Sequence, residues 1–349
     1  MVVTMIVIAA TAFAASFLGT QLLQRSLQAR AILDHPNERS SHAVPTPVGG
    51  GIVVMAVIAV EWLLIWALGA TQDGGHFTFP LPLLVGLAVV LAVMSWRDDR
   101  QPLSPVLRLV VQAIVVLIGI ATLSAHGRIF QTALPYGLDV AITAWLWLWL
   151  INLTNFMDGI DGITSIEGSS IGVGVALLAP LAAALGLAIG IDVQSNLALF
   201  AIVLAAALLG FLRWNWHPAR IFLGDVGAVP LGFLFGWMLL ELAGSGLWAA
   251  ALLLPLYYLM DATLTLMRRV RRGEHLLKAH RGHYYQRAAR RFGSHTRVVQ
   301  IILALNISLV ALAYVSAIQP ERQALWLLIG VVLTGGVLWY FARDPAPTA

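Results

Sequence analysis

Cysteine is absent from the 349 residues, which excludes disulfides, thiolate catalysis and Cys-based zinc sites together. Charge is scarce too. Asp, Glu, Lys and Arg make up 11% of the chain and hydrophobic residues 59%, against about 25% charged in ordinary soluble domains. Water is therefore not the main solvent around this chain. Internal repeats and low-complexity stretches are also missing, which weakens the case for a transporter built from paired halves.

What the sequence has in quantity is apolar runs. A hydrocarbon core of about 30 Å takes about 20 apolar residues per spanning helix. Runs near that length predict an all-α, polytopic membrane protein, a single domain over 1–349, with about eleven transmembrane helices near 2–24, 49–70, 81–96, 106–124, 138–153, 169–190, 197–212, 226–243, 247–266, 298–317 and 325–342. The first run exceeds a signal-peptide core and is followed by further spans, so it reads as a retained anchor helix. Cytoplasmic loops are expected near 25–48, 97–108, 154–168, 213–225 and 267–297. Of the 21 Lys and Arg residues, 19 fall in the loops and tail on one side of these spans, leaving Arg128 and Arg322 on the other. The positive-inside rule then puts the N-terminus outside and the C-terminus in the cytoplasm, in an inner membrane. The same asymmetry accounts for the net charge of +4 without a nucleic-acid partner, though the 267–297 loop could also lie on anionic headgroups of the bilayer. Trp62, Trp66, Trp145, Trp147 and Trp149 read as interface anchors or packing.

Four polar constellations interrupt the apolar pattern, all on the expected cytoplasmic side. Asp98 and Asp99 close the third span between Arg97 and Arg100. Acids are disfavoured at a helix C-terminus, so either the flanking arginines offset them or they collect a hard cation or a proton. In the second, Asn152, Asn155 and Asp158 recur every three residues, sharing a face if the helix continues, before Gly159, Asp161 and Gly162 break it. Three acids and no base in 152–167 suggest screening by bound Mg²⁺ or by basic side chains of other loops. The third is Asp225, flanked by Gly224 and Gly227 before a long span, either a helix cap or a third acidic ligand. The fourth is the stretch Lys278, His280, Arg281, His283, Gln286, Arg287, Arg290 and Arg291. Zinc through His280 and His283 lacks a nearby third ligand; a phosphate clamp or a loop lying on lipid headgroups both remain open. Acids that could hold Mg²⁺ opposite a basic clamp, at headgroup level, describe a site for moving a phosphate group.

These residues carry a resemblance. Asp34-His-Pro-Asn37-Glu-Arg39-Ser-Ser-His42 with Pro45-Thr-Pro-Val-Gly-Gly-Gly51, then Asp98-Asp99, Asn152-Leu-Thr-Asn155-Phe-Met-Asp158-Gly-Ile-Asp161-Gly, Leu223-Gly-Asp225-Val-Gly227 and His280-Arg281-Gly-His283-Tyr-Tyr-Gln286-Arg287 resemble the polyprenyl-phosphate N-acetylhexosamine-1-phosphate transferases, relatives of phospho-N-acetylmuramoyl-pentapeptide transferase. The Arg-Ser-Ser-His and His-Arg-x-His strings look most like the O-antigen-initiating branch. The resemblance implies transfer of a sugar-1-phosphate from a UDP-N-acetylhexosamine to undecaprenyl phosphate, with release of UMP. It implies Mg²⁺, with Mn²⁺ as a substitute, held by Asp225 and Asn155. Asp98, Asp99, Asn155, Asp158, His280 and His283 are its expected catalytic groups, and Asn37, Arg39, His42, Asn152, Asp161, Arg281, Gln286 and Arg287 its substrate contacts. Val48 and Ala228 depart from the pattern, where arginine and serine are usual. A homodimer is compatible with the sequence, though no motif compels it. The rival readings are a lipid or sugar transporter and a non-catalytic scaffold of the same fold.

Overall fold

A computed structural model describes residues 2–34, 44–72, 80–124, 129–130, 133–187, 191–274 and 280–343. The protein is almost wholly helical: α1 (Val2–Ala29), α2 (Gly51–Gln72), α3 (Leu81–Arg100), α4 (Pro105–Gly119), α5 (Tyr136–Met157), α6 (Ile163–Ala184), α7 (Ile191–Asn215), α8 (Asp225–Gly244), α9 (Trp248–Leu253), α10 (Leu256–Arg271), α11 (Tyr284–Phe292), α12 (His295–Ile318) and α13 (Gln323–Ala342). Two short strands, β1 (Leu33–Asp34) and β2 (Thr46–Pro47), pair antiparallel.

Ten of these helices, α1 to α8 with α12 and α13, are each long and apolar enough to cross a bilayer, and the eleventh expected run is divided between α9 and α10, which together lead from the far end of α8 back to the histidine stretch. That run is 247–266. Proline has no N–H to continue a helix and its ring crowds the preceding turn, and the run is divided at Pro255 into the six-residue α9 and the sixteen-residue α10. The latter ends in Arg268, Arg269 and Arg271. The loop expected near 154–168 is also shorter. Gly162, at φ +79°, makes the turn, and α6 begins at Ile163 because its polar residues find partners inside the bundle: the amide of Asn306 donates to Glu167 at 2.7 Å.

Helix α8 is the axis of the bundle. Nearly all of its apolar window is buried, and α5, α3, α9, α2 and α6 pack around it. Trp147 of α5 stacks on Phe233 of α8 and donates its indole N–H to the Phe233 carbonyl at 2.8 Å, so this tryptophan is packing, whereas Trp145 is exposed. The start of α8 meets the start of α2 so closely that a β-carbon on Gly51 would collide with the Gly227 backbone. The amides of Gly49 and Gly50 donate to the Phe222 carbonyl and that of Gly51 to Leu223. The glycine run at 49–51 thus pins the N-terminal loop beside Asp225.

Candidate active site

The four constellations meet at one end of the bundle, around a cavity of about 340 Å³ whose wall includes Asp98, Arg108, Gln112, Asn152, Asn155, Asp225, His280 and His283. The adjacent acids of α3 do different things there. Asp98 accepts the Leu103 amide at 2.6 Å and the Arg108 guanidinium at 2.7 Å, closing the turn into α4. Asp99 turns the other way, toward the first amides of α8 at Asp225 and Val226. A β-carbon at Gly224 would stand 3.4 Å from its Oδ2. The exposed amides of a helix start attract a carboxylate, and here the carboxylate comes from another helix.

Asp225 is the first residue of α8 rather than its cap, a position held by Gly224. Its side chain faces α5, where Asn155 Nδ2 donates to Oδ1 at 2.7 Å. Asn152, one turn earlier, donates to Gln112 of α4 at 2.8 Å. Asp158 leaves the shared face. The helix stops at Met157, and Asp158 lies outside the cavity wall beside Thr164. Burial first, then the charges of Asp225 and Asp161, push its carboxyl up to about 7, with a Thr164 hydrogen bond opposing.

The histidine stretch is organised by a residue that the motifs do not contain. Asp261 of α10 is fully buried. It accepts the Tyr284 and Tyr285 amides, each at 3.0 Å, and the hydroxyls of Tyr257 and Thr265, and its Oδ1 lies 3.2 Å from His283 Nδ1. It thereby caps α11 from outside and orients the His283 ring toward the cavity. His280 stacks on His283. Burial first, then the charges of His283 and Arg269, hold His280 down at about 4, so it is neutral at pH 7. Since its Nδ1 accepts the Gly282 amide, its proton is on Nε2. Gln286 accepts the His283 amide in a reciprocal cap of α11. Tyr285 ties this helix to the second constellation by donating to the Phe156 carbonyl at 3.0 Å, a fit that requires glycine at 159, where a β-carbon would strike the Tyr285 hydroxyl.

Other expected contacts lie elsewhere. Arg287 donates to the Ala342 carbonyl at the end of α13. Arg281 accepts Arg290 at its carbonyl and, with Arg287, crowds the Arg290 guanidinium, which burial and these like charges hold below the usual arginine range. Asp161 is held by His217 and the Ala219 amide. None of these lines the cavity, and Asn37, Arg39, His42 and Lys278 fall outside the described residues. Conversely, Arg108 and Gln112 enter the wall unforeseen; their signal was a polar pair at i, i+4 on an otherwise apolar helix.

A family model described as glycosyl transferase family 4 matches residues 81–243. The chain is 26% identical to the decaprenyl-phosphate N-acetylglucosaminephosphotransferase of Mycobacterium leprae, over 93% of this chain and 86% of the relative. It is 27% identical to the protein of that name from Mycobacterium tuberculosis, over 87% and 80%. The undecaprenyl-phosphate alpha-N-acetylglucosaminyl 1-phosphate transferase of Escherichia coli is 28% identical, over 88% and 82%. The family 4 match runs from α3 through α8 and so takes in Asp98, Asp99, Asn152, Asn155, Asp158 and Asp225; the histidine stretch lies beyond it but inside the longer similarity to whole relatives.

Proposed function

We propose that this protein transfers N-acetylhexosamine-1-phosphate from a UDP-sugar to undecaprenyl phosphate, releasing UMP and starting a lipid-linked glycan. The observation that carries this reading is the cavity itself, where Asp98 of α3 and Asp225 of α8 meet Arg108 and the His280–His283 pair. The relatives' names supply the polyprenyl phosphate acceptor. A second cavity, about 510 Å³ and mostly apolar, supports the lipid. Along α5, Leu146 and Leu150 line the apolar cavity and Asn152 and Asn155 the polar one; along α10, Leu259 lines the first and Leu266 the second. A prenyl chain lying in the apolar cavity would carry its phosphate toward Asp225.

The donor set suits Mg²⁺, with Mn²⁺ as a substitute: Asp225, the neighbouring Asp99 and Asn155 offer hard oxygen atoms, and Mg²⁺ binds through one or two carboxylates plus substrate phosphates. When bound, the ion would neutralise charge on the diphosphate. A lipid-phosphate oxygen attacks the phosphorus bearing the sugar, forming a new P–O bond. The bond from that phosphorus to the oxygen bridging to UMP breaks, and UMP leaves with the electron pair. The attacking phosphate oxygen is already anionic, so Asp98 and Asp99 need not accept a proton. Asp98 fixes Arg108 where negative charge gathers, and His280 presents an Nε2 proton as a neutral donor. Such catalysis is mainly positioning and electrostatic stabilisation. The excess of Lys and Arg in the loops at this end supports a cytoplasmic site in an inner membrane, with the N-terminus outside.

The test is UMP release by purified protein given undecaprenyl phosphate and a panel of UDP-N-acetylhexosamines that includes 6-deoxy sugars. Release with one donor in Mg²⁺ and none in EDTA is expected. Silence across the panel would overturn the reading, and flux into vesicles without UMP would replace it by transport.

A further inference from the structure

Beside the polar cavity, Asp161, His217 and His295 come together from parts of the chain that no local pattern connects: the α5–α6 turn, the α7–α8 loop and the first turn of α12. One carboxylate oxygen and one ring nitrogen of each histidine all lie within 4.8 Å of one another. Asp161 is 8% exposed. Its Oδ2 lies 2.6 Å from His217 Nδ1 and takes the Ala219 amide at 3.1 Å. His295 Nδ1 points at the same oxygen from 3.4 Å and is buried without a hydrogen-bond partner.

Hydrogen bonding alone explains this poorly. The second imidazole meets an oxygen that already has two partners, and a buried unsatisfied nitrogen costs about 1–3 kcal/mol. Charging both rings instead would set two cations 4.8 Å apart between ring centroids. A divalent ion resolves both problems, because it takes a lone pair from each Nδ1 in place of a proton and one from the carboxylate. Two imidazoles and one carboxylate suit zinc-class ions, whereas Mg²⁺ prefers oxygen alone. Tetrahedral zinc, with bonds of about 2.0–2.1 Å, holds its ligand atoms about 3.3 Å apart, close to the 2.6 and 3.4 Å that separate the two ring nitrogens from Asp161 Oδ2. The His217 side chain is 40% exposed, which leaves a fourth position to water.

We infer that Asp161, His217 and His295 form a zinc-class metal site, separate from the Asp225 centre. Its ion staples the turn after Asn155 and Asp158 to the loop leading to Asp225 and to the start of α12, so that the two segments bearing the acidic groups are held at fixed separation. The inference stands on the three side chains and is independent of the transferase reading.

The test uses full-length protein in detergent, stripped with EDTA, loaded with Zn²⁺ and passed through gel filtration before metal analysis and thermal unfolding. Retention of about one zinc per chain and a higher melting temperature are expected, both unaffected by millimolar Mg²⁺. His217→Gln and His295→Gln lose the retained zinc and the thermal shift, while His280→Gln keeps both. Failure of the stripped wild type to retain zinc, or equal retention by the His217→Gln/His295→Gln double variant, overturns the site. If the variants do not fold, Co²⁺ added to the His280→Gln protein decides: tetrahedral nitrogen–oxygen absorption bands support the site and their absence overturns it.

Discussion

The two ends of the bundle both bury acids, and they use them differently. Away from the polar cavity, Asp139 accepts the amides of Ile129 and Phe130, and Glu241 accepts the Ser124 amide at 2.9 Å. Each fastens a loop to a helix. At the other end Asp98, Asp99 and Asp225 lie within one another's fields, sharing Arg108, Asn155 and the start of α8. A buried acid matched to fixed backbone donors is spent on the fold, whereas acids gathered around a cavity keep negative charge for something that enters it.

The sharpest break in this contrast is expected at Asp99. Asp99→Asn keeps shape and hydrogen bonding to α8 but removes charge, and kcat for UMP release should fall about 10²–10³-fold, with the folded protein still eluting normally in detergent. A rate within a few-fold of wild type would move Asp99 to the structural class. Asp261 sits between the classes, being fully satisfied yet aimed at the site through His283. For Asp261→Asn we expect a loss of about 10–100-fold in kcat, with KM for both substrates unchanged; a matching loss in melting temperature without a kinetic change would make it a plain helix cap. Asp139→Ala should lower stability by about 1–3 kcal/mol by leaving two amides unpaired and leave the rate per folded molecule alone, as thermal unfolding and UMP assays will show.

The smallest effect concerns pH. His280 is held at about 4 in the folded chain, against about 6.5 when unfolded. Between these values the unfolded state binds a proton that the native state refuses, so stability falls as pH drops from about 6.5 toward 4. His280→Asn should flatten melting temperature across that window and leave it unchanged above pH 7. An identical slope in the variant would mean that His280 is not the group responsible.

Much of this was legible because it is local. Apolar length announced the helices, and the glycine-broken acidic strings pointed to the candidate site. What stayed hidden depends on partners far along the chain. Asp261 belongs to none of the motifs; its meaning appears only when Tyr284 and Tyr285, more than twenty residues on, place their amides on it. His217 and His295 carried no motif, and their convergence on Asp161 spans more than a hundred residues. The apolar run at 247–266 reads as one span, and the break at Pro255 shows only in the structure. Asp158 kept its three-residue spacing from Asn155 while the backbone turned out of the helix, since periodicity says nothing about where a helix ends.

The most direct measurement is Mg²⁺-dependent UMP release by Asp225→Asn and Glu241→Gln, compared with wild type at equal amounts of folded protein. The account predicts a loss of about 10²–10³-fold or more in Asp225→Asn and a rate within about threefold of wild type in Glu241→Gln, whose cost appears instead in stability. Comparable activity in the two variants would contradict it.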